Sequence, residues 1–190
     1  MPKVITLHEL FVDMLRDIYY AEKKILRALP KMAKAVGKQS RLAAAFETHR
    51  EETEGQVERL EQVFKSIGEK PRGKKCAAIE GLTEEADDLM DEVENAATLE
   101  AGLLAGAQAV EHYEIARYGT LLEWAKIMGH REAVKLLEET LAEEKKTDQL
   151  LNKMATSRIN QDAMDAANEN VKETPEAAAD HKRARKQRAA

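Results

Sequence analysis

A chain of 190 residues with 43% hydrophobic, 34% charged and 4% aromatic residues is long enough for one domain with a buried core. Its Ala, Leu, Glu and Lys content points to helices rather than a sheet. The net charge of −5 argues against a general nucleic-acid binder, and no window approaches the ~20 apolar residues of a membrane-spanning helix. The single Cys76 cannot form an internal disulfide. With a polar start that reads as no secretion signal, it predicts a reducing, cytoplasmic setting.

Thr6 and Glu9 have capping-box spacing. The helix predicted from there carries Leu7, Leu10, Phe11, Met14, Leu15, Ile18, Ala21, Ile25, Ala28, Leu29 and Met32, recurring every three or four residues. Pro30 predicts a kink or break near residues 29–30, and Gly37 ends the segment. Between Ile18 and Ile25 on this stripe stands Glu22. Ser40 caps a second predicted helix, which runs to about Ile67 and is stopped by Gly68 and Pro71. Its inward positions are Leu42, Ala45, Phe46, His49, Glu52 or Thr53, Gln56, Leu60, Val63 and Phe64, so the middle of the stripe is polar. Gly55, which costs ~1 kcal/mol against Ala in a helix interior, is expected to let another helix or a ligand come close.

Residues 68–80 read as a connection, followed by a short acidic helix over residues 83–93. A third long helix is expected over residues 96–127, with Gly129 just beyond it. A fourth begins near His130 and continues to about Ala155, with Val134, Leu137, Leu141, Glu144, Asp148, Leu151 and Met154 facing inward. From Asn160 the apolar spacing thins. Residues 1–165 therefore read as one helical domain and 166–190 as a polar tail, disordered from about residue 172 and ending in Lys182, Arg183, Arg185, Lys186 and Arg188. Such a tail could hold nucleic acid or an acidic partner; a solvated end is the plainer reading.

Each long helix has an acid inside its apolar stripe: Glu22, Glu52, Glu111 and Glu144. Counted from the helix starts they lie roughly 16, 12, 15 and 14 residues in, or about 18–24 Å at 1.5 Å per residue. Helices of similar length would bring these acids together near the midpoint of a bundle. His49, Gln56, Glu114 and Asp148 lie within one turn of that layer. Buried carboxylates are costly unless a cation or proton compensates them. Four of them balance two divalent cations, and oxygen ligands suit iron or manganese. The candidate ligands are Glu22, His49, Glu52, Glu111, Glu114, Glu144 and Asp148. Gly and Ala around the centre would leave room for oxygen or peroxide. The competing reading has the acids sharing protons and hydrogen bonds with His49, Gln56, Tyr113 and Arg117. His49 fits a hydrogen-bonded core residue as well as a ligand, the four tyrosines read as packing residues, and Trp124 as core.

Three segments carry a resemblance: Asp17–Glu22, His49–Leu60 and Val110–Thr120. They resemble the YciE/YciF family of ferritin-like bacterial stress proteins over about residues 4–165. The resemblance implies an all-α, ferritin-like antiparallel four-helix bundle, with a short extra helix in the long second-to-third connection, and a homodimer. It also implies a dinuclear iron or manganese site, since related ferritin-like proteins use Glu on two helices and Glu-x-x-His on the others. Glu22, Glu52, Glu111 and Glu144 match the Glu positions, and Glu111-x-x-Glu114 is similar to the paired Glu of rubrerythrins. The histidines depart from the pattern: Gly55 and Thr147 stand three residues after Glu52 and Glu144, and His49 precedes Glu52 instead. The alternative is a non-catalytic dimeric structural or stress protein with a metal-free or degenerate site.

Overall fold

The computed structural model describes residues 5–173, and regular structure among them is entirely helical. Helix α1 spans Leu7–Val36. The Thr6 hydroxyl oxygen accepts from the Glu9 backbone N–H (3.2 Å), and Glu9 Oε2 accepts from the Thr6 N–H (2.9 Å). The capping box is thus complete. Pro30 does not break α1, contrary to the sequence expectation. It is exposed, so the carbonyl it leaves without a donor can turn to water, while Ile25, Leu29, Met32 and Ala33 are buried on either side of it. Gly37 ends the helix at φ 85°, a conformation that favours glycine.

Helix α2 (Arg41–Ser66) starts at Ser40, whose hydroxyl oxygen accepts from the N–H groups of Leu42 (2.9 Å) and Ala43 (3.3 Å). No other helix comes close at Gly55: a Cβ there would meet only the Arg59 guanidinium, at an ordinary 3.7 Å. Helix α3 (Ala77–Glu92) begins earlier than the residue 83 read from the sequence. Cys76 acts as its N-cap, with Sγ accepting from the Ile79 N–H (3.5 Å), and the burial of both residues anchors the first turn.

Helix α4 covers Ala96–Ile127 and α5 covers Arg131–Met154. Between them Gly129 sits at φ 73°, with its N–H donating to the Lys126 carbonyl and the His130 N–H to the Ala125 carbonyl. This pair of bonds is a Schellman turn, with Gly129 just beyond the helix as expected. The chain then stays helical through a π-helical turn at Ala155–Ile159 into α6 (Asn160–Glu173). The helix thus runs through the 165/166 boundary read from the sequence. The basic residues of the tail lie outside the described residues.

Helices α1 and α2 form one hairpin and α4 and α5 the other; α1 packs on α4 and α2 on α5. Asp17 meets Tyr113 and Met14 meets Arg117, while Glu52, Gln56 and Arg59 meet Lys146, Glu143 and Thr140 in turn. Adjacent helices are therefore antiparallel, and the result is the expected four-helix bundle, with α3 in the long α2-to-α4 connection. Helix α3 lies against α1 and α4, and α6 against α4. Contact with α1, α3, α5 and α6 explains why α4 carries apolar or small residues around so much of its circumference. Phe11, Leu15, Ile18, Leu60, Phe64, Leu103, Leu121 and Leu137 are fully buried, each such side chain stabilising the fold by about 1.5–3 kcal/mol. Trp124, read as core, is half-buried against it, and Leu7 is exposed. No helix among the described residues is long and apolar enough to cross a membrane.

Candidate metal centre

The apolar core is interrupted midway along the bundle. Glu22 on α1, His49 on α2, Glu111 and Glu114 on α4, and Glu144 on α5 are at most 4% exposed. One potential ligand atom from each of His49, Glu111, Glu114 and Glu144 lies within 4.8 Å of the others. Glu111, Glu114 and Tyr118 are spaced i, i+3, i+7, which turns all three to one face of α4. His49 Nε2 lies 3.2 Å from Glu111 Oε1, and its Nδ1 faces Glu52 Oε2 at 3.9 Å. Glu22 on α1 is not among these four, and one of its oxygens accepts from the Tyr118 hydroxyl.

Most of this polar surface is unsatisfied. Both oxygens of Glu114 and of Glu144 and one each of Glu22 and Glu111 are buried without a hydrogen-bond partner, and the buried His49 nitrogens face Glu52 and Glu111 without a well-aligned hydrogen bond. A single buried carboxylate left this way costs several kcal/mol. The convergence of His49, Glu111, Glu114 and Glu144 fits a cation whose bonds to them would replace the missing hydrogen bonds. Carboxylate oxygens with one imidazole form a donor set suited to iron or manganese.

The electrostatics agree. Burial pushes Glu22 up to about 7, against the opposing pull of Tyr118 and His49, and pushes Glu111 up to about 7 against His49. Glu114 and Glu144 lie well above the usual carboxylate range because burial is reinforced by neighbouring acids, Glu22 first. For His49 burial disfavours the imidazolium, but Glu52, Glu111 and Glu22 together outweigh it and raise the pKa. Without a cation, the site holds protons at neutral pH.

The other candidates lie at the rim. Glu52 is half-buried and accepts from Lys146 Nζ (3.3 Å) and the Thr147 hydroxyl (3.4 Å). His49, then Lys146, holds it below the usual carboxylate range. Thr53, the alternative inward residue, is the buried one. Asp148 pairs with the exposed His112 (3.1 Å). Gln56 is fully buried but donates to Glu143 Oε2 (3.1 Å), which Arg59 also binds. Tyr113 and Arg117 do not serve the cluster: Tyr113 donates to Asp17 Oδ2 (2.6 Å) and contacts Cys76 Sγ (3.0 Å), while Arg117 lies over the Tyr113 ring. The role of Tyr118 was missed from sequence, where it reads as packing, although its i+4 spacing from Glu114 was visible.

Comparison with known proteins places this geometry in context. The chain is 46% identical over 163 residues to Protein YciF of Escherichia coli (strain K12), spanning 85% of this chain and 98% of that protein. Its structure is similar to that of the E. coli stress protein YciF, with a TM-score of 0.78 over 83% of this chain and 99% of that one. It is also similar to YcfI, a suggested structural protein from Rhodopseudomonas palustris, with a TM-score of 0.76 at 48% identity over 79% of this chain and 95% of that one. A Xanthomonas campestris protein, 23% identical with a TM-score of 0.60 over 80% of this chain and 92% of that one, shares the fold. Residues 6–164 match the family described as a domain of unknown function, DUF892, and the chain belongs to that family, as a relative of YciF.

Proposed function

We propose that this protein is a stress-response protein, acting as a homodimer, that binds a pair of iron or manganese ions at the centre of its bundle. Glu22, His49, Glu111, Glu114 and Glu144 would hold the ions. Four carboxylates balance two divalent cations, so metal binding would remove both the charge and the orphaned hydrogen-bonding capacity. Such ions would supply redox chemistry toward oxygen or peroxide. The chain's own residues do the rest. Tyr118 fixes one oxygen of Glu22, leaving the other for a ligand bond. Glu52 faces His49 Nδ1 and favours the orientation with Nε2 toward Glu111. Glu52 and Asp148 border the site without joining its core.

The observation that carries this reading is the convergence of buried ligand atoms of His49, Glu111, Glu114 and Glu144 from three helices, with a buried, unpartnered oxygen of Glu22 on the fourth. Elemental analysis of protein purified without chelator, beside a Glu144→Ala variant, tests it. Iron or manganese bound to the wild type and depleted in the variant is expected; equal content in both would exclude the site.

One observation favours a second reading. Glu22 and Glu114, and Glu111 and Glu144, are near enough for each pair to share a proton. A metal-free, proton-bridged cluster would suit a structural role such as the one suggested for YcfI. Its signature is a melting temperature indifferent to added Fe(II) or Mn(II).

A further inference from the structure

The segment that joins α2 to α3, residues 68–76, is strapped along α1. The Lys74 N–H donates to the Arg16 carbonyl (2.9 Å), Lys74 Nζ pairs with Asp13 (2.6 Å), and Glu69 pairs with Arg16 (3.0 Å). Gly73 lies so close to α1 that an added Cβ would stand 3.3 Å from Tyr20 Cβ. Between this strap and α1 opens a groove of about 200 Å³, lined by Tyr19, Tyr20, Lys23, Lys24 and Arg27 of α1 and by Gly73. No acid lines it.

The chain as a whole is acidic, with a net charge of −5, yet this groove is basic. Two acids are bonded to its lining residues. Glu61 accepts from the Tyr19 hydroxyl (2.7 Å), while Glu80 accepts from the Tyr20 hydroxyl (2.8 Å) and pairs with Lys24 (2.9 Å) and Lys75 (3.3 Å). Lys23, Lys24, Arg27 and Lys75 thus stand against Glu61 and Glu80, which leaves a surplus of two positive charges. Lys23 and Arg27 carry that surplus: both are exposed, and neither has an ion pair among the described residues. Lys23 Nζ lies over the Tyr19 ring, 4.9 Å from its centre. The two cations are spaced i, i+4, where like charges disfavour a helix. They also stand in the middle of α1, beyond reach of the C-terminal carbonyls that would favour them.

We propose that this groove is a binding site for a phosphate dianion, as the free ion or as a small phosphomonoester, held by Lys23 and Arg27. Two uncompensated cations match the charge of about −2 that a phosphomonoester carries at neutral pH, and its three terminal oxygens offer each cation an acceptor. Arg27 supplies a planar fork that can grip two of those oxygens, and Lys23 a mobile point charge. A carboxylate, with one charge and two oxygens, would leave one cation unmatched. The Tyr19 and Tyr20 hydroxyls are already engaged, so these residues add ring surface, against which the organic part of a monoester can pack. The groove is on the outer face of α1 and does not depend on the proposed metal centre.

Calorimetric titration of the full chain, stripped of metal and dialysed free of chelator, tests the proposal. The probes are inorganic phosphate and phenyl phosphate, with benzoate as the carboxylate control. Saturable binding of phosphate or phenyl phosphate, and none of benzoate, is expected. Lys23→Gln combined with Arg27→Gln should weaken it by about tenfold or more. Lys135→Gln combined with Lys153→Gln, an equal loss of charge at exposed positions of α5, should leave it unchanged. Helical circular dichroism checks the fold, and Arg27→Gln alone decides the matter should the double variant fail to fold. Equal or tighter binding of inorganic phosphate assigns the free ion as ligand, and tighter binding of phenyl phosphate assigns an organic monoester. No saturable binding, equal binding of benzoate, or equal weakening by the α5 substitutions overturns the proposal. So does duplex DNA held through Lys23 and Arg27 by a chain that leaves phenyl phosphate unbound.

Discussion

The Tyr118 hydroxyl donates to Glu22 Oε1 across the α1–α4 interface, and both side chains are completely buried. No water can replace that donor if it is lost. Tyr118→Phe keeps the ring and removes only the hydroxyl, so it should destabilise the protein by about 1–3 kcal/mol. Urea unfolding of wild type and variant in chelator measures this directly. A difference below a few tenths of a kcal/mol would mean that Tyr118 is a packing residue only.

The metal-free protein should lose stability as pH rises from about 4.5. Glu22 and Glu111 are raised to about 7, and Glu114 and Glu144 well above an unfolded value of 4.5. Across that window the folded state holds protons that the unfolded chain has released, so unfolding becomes progressively easier. His49, also raised, acts in the same direction from its ordinary value of 6.5 upward. The depressed Glu52 acts oppositely, but only below 4.5. Thermal melts in chelator between pH 5 and 8 should show a falling melting temperature, with a shallower slope for Glu114→Gln. A flat or rising profile would contradict the protonated cluster.

Metal should reverse that trend. A ligand bound only to the native state contributes about 2.7 kcal/mol at a hundredfold excess over its Kd. Binding must displace protons from the raised carboxyls, so the gain should be larger near pH 7.5 than near pH 5.5. Melts with Mn(II), or with Fe(II) under anaerobic conditions, should rise for the wild type and stay unchanged for Glu144→Ala. Equal shifts in both proteins would point to surface carboxylates instead.

Gly106→Ala should stabilise the metal-free protein by about 0.5–1 kcal/mol, because it improves helix propensity and meets no neighbour within 4 Å. Denaturant midpoints give the comparison. Destabilisation would show that the backbone near Gly106 cannot accept even a methyl group.

Much of this architecture is legible in the residues. Thr6 with Glu9, Ser40, Gly37, Gly68 and Gly129 mark the ends of the long helices, because capping and positive φ are local requirements that a few residue types meet. Glu22, Glu111 and Glu144 stand out for the same reason: each replaces an apolar residue on an otherwise apolar stripe. Helix α2 was harder. Its inner face holds His49, Thr53 and Gln56, so amphipathic spacing could not separate Glu52 from Thr53, and packing turned Thr53 inward. The start of α3 was hidden because its cap is a cysteine sulfur, a weak acceptor rarely used this way. Helix α6 was hidden because its sequence is polar and its contact is with α4, a tertiary fact.

The most direct test is a crystal of wild-type protein soaked in Mn(II) and measured for anomalous scattering. Two peaks bounded by Glu22, His49, Glu111, Glu114 and Glu144, with carboxylate oxygens at roughly the 2.0–2.5 Å of hard-cation bonds, are the predicted result. No peak at that position in crystals whose surface carboxylates have taken up Mn(II) would contradict the metal centre.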